Sequence, residues 1–168
     1  MKKITIVFSK HLGFNLFSSL IMWGLGTPFS HVAVRVVDEF DEVLYYQASG
    51  LTVNCTAELQ FLQTEDIVAS FDFELAPHVY TAGMRFAKEQ LGKPYSMLTI
   101  LGFAYEIALS KIGINTNNPV QNTGNAYVCS QFAAAFIKAA DNLEVGDISQ
   151  DTPKALYERM PTLPKVWY

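Results

Sequence analysis

The sequence predicts one α+β domain over residues 1–168. Three observations carry this: strand-like alternation concentrates in the first half, helical periodicity in the second, and half of the residues are hydrophobic. That composition, with 17% charged residues, gives enough apolar surface for a real core and excludes wholesale disorder. The expected architecture is an antiparallel sheet packed against helices.

The elements follow in order. Residues 3–8 (Ile-Thr-Ile-Val flanked by Lys3 and Phe8) read as a first strand. Residues 15–23 read as a short helix with Leu16, Phe17, Leu20 and Ile21 at helical spacing, ended by Gly24, Gly26 and Pro28. Residues 31–37 alternate, placing Val32, Val34 and Val36 on one face and His31, Ala33 and Arg35 on the other. A turn over 38–41 leads to a return strand at 43–48, and further strands are read at 51–55 and 67–75. Helices are expected over 77–91, 95–111, 128–140 and 153–159, the last capped by Thr152, with an Asn/Gly/Pro loop over 112–125. The greasy stretches 12–25 and 97–109 read as helices buried against the core; the alternative is a surface that accepts lipid.

Composition narrows the function. A net charge of −4 with no Lys/Arg cluster argues against a nucleic-acid surface. Two cysteines do not make a disulfide scaffold, and they fit a reducing compartment. No signal peptide or transmembrane run is read, so a cytoplasmic setting is expected, with a phage-encoded or specially delivered protein as the alternative. Without Cys-x-x-Cys or a helical His pair, neither metal nor other cofactor is expected, and Gly24-Leu25-Gly26 lacks the helix start of a phosphate loop.

Cys129 is the most telling residue. It stands where a Gly/Asn-rich loop meets an apolar run, in the first turn of an expected helix, where unpaired N–H groups and the helix dipole favour thiolate. It is a candidate nucleophile if a histidine reaches it; otherwise it is a buried structural cysteine. His31 is the candidate base. If Val37 opposes Asp41, antiparallel register places His31 opposite Gln47, whose oxygen then orients the ring. Tyr127 is a candidate oxyanion or substrate-binding donor beside the Cys129 N–H, and Ser30 a candidate substrate contact better suited to a local cap. Cys55 alternates with Leu51 and Val53 and reads as a core residue. His11 and His78 lie in loop-like contexts and are not expected to be catalytic.

Five segments, in order, resemble the circularly permuted branch of the papain-like NlpC superfamily, which includes YiiX-like proteins and lecithin:retinol acyltransferase relatives. Ile21-Met22-Trp23-Gly24-Leu25-Gly26-Thr27-Pro28-Phe29-Ser30-His31-Val32-Ala33-Val34 looks like the family's helix–loop–"SHVGI" segment. Tyr46-Gln47-Ala48 falls where YiiX-like members carry Glu-Ala. Leu91-Gly92-Lys93-Pro94-Tyr95 resembles "GxxYD", with Ser96 in place of the acid. Tyr127-Val128-Cys129-Ser130-Gln131-Phe132 resembles "YxCSEF", and Asp151-Thr152-Pro153-Lys154-Ala155-Leu156 a late "TPxxL" segment. The resemblance implies a permuted papain-like fold and a cysteine hydrolase with Cys129 as nucleophile, His31 as base and Gln47 as orienting residue. Gln47 replaces the usual carboxylate, so it cannot offset imidazolium charge. The substrate expected is a peptide or protein conjugate. Alternatives are an acyl lipid handled by the same pair, with peripheral membrane contact, or a non-catalytic binding module.

Overall fold

The computed structural model describes residues 1–96, 126–141 and 151–168, together with Gly102, Leu109, Gly113, Ile114 and Ile148. Strands β1 (Lys2–His11), β2 (His31–Val37), β3 (Val43–Ser49), β4 (Thr52–Ala57), β5 (Glu65–Leu75) and β6 (Val166–Trp167) form one sheet in the order β4-β3-β2-β1-β5-β6. Every pairing is antiparallel except that of β5 with β6. The helices are α1 (Leu16–Leu25), α2 (Glu58–Leu62), α3 (Pro77–Gln90), α4 (Cys129–Asp141) and α5 (Pro153–Arg159), the last followed by a 3-10 turn at Met160–Thr162. The result is a mixed α+β fold with a six-stranded sheet packed on helices.

Alternation decides which face is core. Ile4, Ile6 and Phe8 of β1, Val32, Val34 and Val36 of β2, and Phe73 and Leu75 of β5 are all buried in one cluster with Phe132, Phe136 and Ile137 of α4. The opposite face carries a smaller cluster of Val7, Ala33, Tyr45 and Phe61, in which Tyr45 and Phe61 stack at 4.0 Å between ring centroids. Helix α2, unforeseen in the sequence, is five residues long and buries only Phe61, too little for a periodic signal. Strand β6 is two residues long and was equally invisible.

Helices α3 and α4 pack where Gly83 lets them approach. A Cβ at Gly83 would stand 2.8 Å from Phe136 Cζ and 3.1 Å from the Ala140 Cβ. Phe136 is fully buried, so its ring has nowhere to retreat. Gly83→Val is therefore expected to lower unfolding free energy by about 1–3 kcal/mol through overpacking, read as a reduced denaturation midpoint at unchanged m-value.

The β2–β3 register differs from expectation. Val37 pairs with Val43, and Val34 with Tyr46, two residues away from the register that opposes His31 to Gln47. The cause lies in the turn. Asp38 Oδ1 accepts from the backbone N–H groups of Phe40 (2.8 Å) and Glu42 (2.9 Å), and Asp41 takes φ of 62°, so the connection uses five residues, 38–42. A slip of two preserves side-chain parity, so Gln47 still shares a face with His31, now as a diagonal neighbour.

Helix α1 corrects a second expectation. Its Asn15 cap accepts from Ser18 N–H at 3.1 Å and it ends on Gly26 in the left-handed region, yet Ser18 is its only buried residue. Leu16 and Trp23 are each 66% exposed, and Phe14, just ahead of the helix, 87%. Within the run 12–25, the helix over 16–25 lies on the surface and not in the core. The other greasy stretch, 97–109, and the loop expected at 112–125 lie outside the described residues except at Gly102, Leu109, Gly113 and Ile114. Tyr95, expected to begin a helix, is instead bridged to Tyr127. Among the described residues no helix is long and apolar enough to cross a membrane.

Candidate active site

Helix α4 opens at Cys129, whose N–H, as that of the first helical residue, has no acceptor within the helix. Two contacts fix this helix start from outside. The Ser130 hydroxyl donates to the Asp151 carbonyl at 2.6 Å, and the loop strand 94–96 grips Tyr127: Tyr127 N–H donates to Pro94 O (3.1 Å) and Ser96 N–H to Tyr127 O (2.9 Å). Cys129 is 4% exposed, and its thiol points at the Ser30 carbonyl at 3.9 Å, which brings it to the entry of β2.

His31 is the first residue of β2. Its Nε2 lies 2.6 Å from Gln47 Oε1, while the Gln47 amide nitrogen donates to Thr56 Oγ1 at 3.2 Å. Thr56 thus fixes which end of the amide faces the histidine. An amide oxygen only accepts, so Nε2 carries a hydrogen and donates, which leaves Nδ1 as the ring nitrogen open to a second partner. The electrostatics agree with this pairing. Burial alone pulls the imidazole down, but the hydrogen bond and charge of Cys129, then the charge of Glu65 and the Gln47 bond, outweigh it and raise His31 from 6.5 to about 9.

Other candidates are placed differently. Ser30 spends its hydroxyl on Ser18 Oγ at 2.6 Å, so it fastens α1 to β2 and meets Cys129 through its carbonyl. The Tyr127 hydroxyl donates to Gln90 Oε1 on α3 at 3.3 Å, and its ring packs against Phe86 and Phe132. Cys55 packs at the core edge beside Tyr46, and burial pushes its thiol up. His78 is exposed on α3.

Residues not singled out from the sequence complete the site. Tyr95, present there only within the "GxxYD"-like segment, lies close enough to Cys129 for the thiol's charge to add to burial in pushing its phenol well above 10. It lines a cavity of about 580 Å³ together with Ser30, His31, Gln47, Leu51 and Glu65. Phe17, Ser18 and Ile21 of α1 form another wall. His11 also lines this cavity, paired with Glu65 at 3.3 Å.

No family model and no curated protein matches the chain. Among solved structures, the chain is similar to the metalloprotein YiiX from Escherichia coli O157:H7, at a TM-score of 0.53 and 14% identity, over 100% of this chain and 98% of that one. The likeness is one of fold. It agrees, at that level, with the segmental resemblance read from the sequence. The neighbour is described as a metalloprotein; among the described residues here, no three His, Cys, Asp or Glu side chains converge to hold a metal ion.

Proposed function

We propose that this chain is a thiol hydrolase on a permuted papain-like scaffold, cleaving an amide, peptide or isopeptide bond. The observation that carries the reading is the relay from Thr56 through Gln47 to His31 Nε2, which supports a role for the other ring nitrogen, Nδ1, toward Cys129. Cys129, its thiol proton already passed to His31, attacks the carbonyl carbon through Sγ. The Cys129 N–H, at the helix start, receives the developing oxyanion. His31 returns the proton to the departing amine as the C–N bond breaks, leaving a thioester. Water, deprotonated by His31, then releases the acid and restores the thiol.

The test is alkylation with iodoacetamide against pH, followed by mass spectrometry, with Cys55 as internal control. Cys129 is expected to react faster than Cys55 at pH 6, and His31→Ala to erase the difference. Equal, slow modification of both cysteines, unchanged by the mutation, would sink the hydrolase reading in favour of a binding module.

One observation favours an acyl-lipid substrate for the same pair. Residues 12–30 contain no Asp, Glu, Lys or Arg, and Phe17 and Ile21 of the exposed apolar helix α1 reach the cavity wall. On this reading KM for thioesters falls as the acyl chain lengthens, and Phe17→Ser removes the dependence. A flat chain-length series returns the choice to peptide-like amides.

A further inference from the structure

We propose that Glu65 is a positioning residue for His31: clamped by Ser9 and His11 across the central strand, it supplies the negative charge that neutral Gln47 does not. The inference rests on the Cys129–His31 reading above.

The geometry begins with strand order. β1 lies between β2 and β5. On one side Ser9 is the register partner of His31. On the other, an irregularity between Phe8 and Ser9 shifts the ladder so that His11 pairs with Glu65. Directly paired residues share a face, as do residues two apart on a strand. Ser9, His11, His31 and Glu65 therefore stand on one face, and the last three line the same cavity as Gln47.

Both carboxylate oxygens are held. Fully buried Ser9 donates to Glu65 Oε2 at 2.7 Å, and His11 Nδ1 lies 3.3 Å from Oε1. The Glu65 side chain is only 13% exposed, so its charge acts through a poorly screening medium. Among the described residues lining the cavity it is the only acid, and none is Lys or Arg. The neighbouring Lys10–Asp66 pair alternates to the other side of the ladder, joined at 3.2 Å. The titratable groups around His31 are thus His11 on β1, Glu65 on β5, Cys129 on α4 and Tyr95 on the preceding loop.

The chemistry gives this charge a task. While Cys129 is a thiolate it balances the imidazolium itself. Once sulfur has bonded to carbon, that charge has passed to the substrate oxygen, and His31 must hold its proton until the amine leaves. Gln47 orients the ring but adds no charge; Glu65 does. In the same direction, the Glu65 charge contributes to the elevation of His31, behind the burial that opposes it and the two effects of Cys129.

The experiment compares the full chain with Glu65→Gln, which keeps an oxygen for Ser9, and follows the His31 ring by NMR through a pH titration. The midpoint is expected to fall by about 0.5–1 pH unit, a three- to tenfold change in protonation equilibrium. The double variant Glu65→Gln/Gln47→Glu, which moves the charge onto the residue at Nε2, is expected to restore it. If Glu65→Gln does not fold, Ser9→Ala frees the same carboxylate and is expected to lower the midpoint likewise. An unchanged midpoint in a folded variant, or no restoration by the double variant, overturns the role of Glu65. Failure of the underlying pair has a separate signature: Cys129→Ala then leaves the wild-type His31 midpoint where it was, and both inferences fall.

Discussion

His31→Ala is expected to lower kcat/KM by about 10²–10⁴-fold, the span associated with loss of a general acid–base, and Cys129→Ala to bring turnover to the uncatalysed level. Kinetics on an amide substrate, with circular dichroism to confirm folding, checks both. The same pair predicts a pH dependence whose sign can be worked out. His31 stands at about 9 in the fold against an ordinary 6.5. The folded chain therefore holds the proton more tightly, so the associated stability is complete below pH 6.5 and drains away as pH rises through about 9. In Cys129→Ala the two leading causes that raise the imidazole vanish while burial, which lowers it, remains. The His31 midpoint is then expected to fall well below 9 and the alkaline loss of stability to flatten. A variant whose His31 still titrates near 9 would show that something other than the thiol sets its proton affinity.

Arg159→Met is expected to be the most destabilising surface-accessible change. The Arg159 guanidinium lies 2.5 Å from Asp151, whose side chain is wholly buried. Removing the cation takes the neutralising charge away from a buried carboxylate, a loss of up to about 3–5 kcal/mol. Asp151 also receives the Ser130 hydroxyl through its carbonyl, so the damage reaches the start of α4. Chemical denaturation should report the loss, and Cys129 alkylation should lose its pH 6 advantage in parallel. Adding Asp151→Asn to Arg159→Met should recover part of the stability by removing the buried charge along with its cation. A double variant as unstable as the single one would mean that packing, not the ion pair, holds this junction.

How much of this was legible in the sequence depended on range. Alternation in 31–37 placed Val32, Val34 and Val36 inward without any knowledge of partners, because pleating is local. The relation of His31 to Gln47 survived a wrong register, since an even slip keeps both side chains on one face. The length of the turn is not legible in the sequence because the Asp38 side chain, not the backbone pattern, sets it. The roles of Glu65 and Tyr95 were out of reach: one depends on β1 lying between β2 and β5, the other on a bridge between residues 95 and 127. Helix α1 defeated expectation for a different reason. Apolar spacing reports that a helix forms, but nothing in it says whether the greasy side meets a core, a ligand or solvent.

The contact between the Cys129 thiol and the Ser30 carbonyl joins residues 99 positions apart. During synthesis at about 5–20 residues per second, the ribosome completes the histidine strand roughly 5–20 s before it reaches the cysteine. For that interval the nascent chain carries the β2 end of this contact without the helix that meets it. Translation order thus acts as a timer: the junction between the entry of β2 and the start of α4 closes only when this late helix docks.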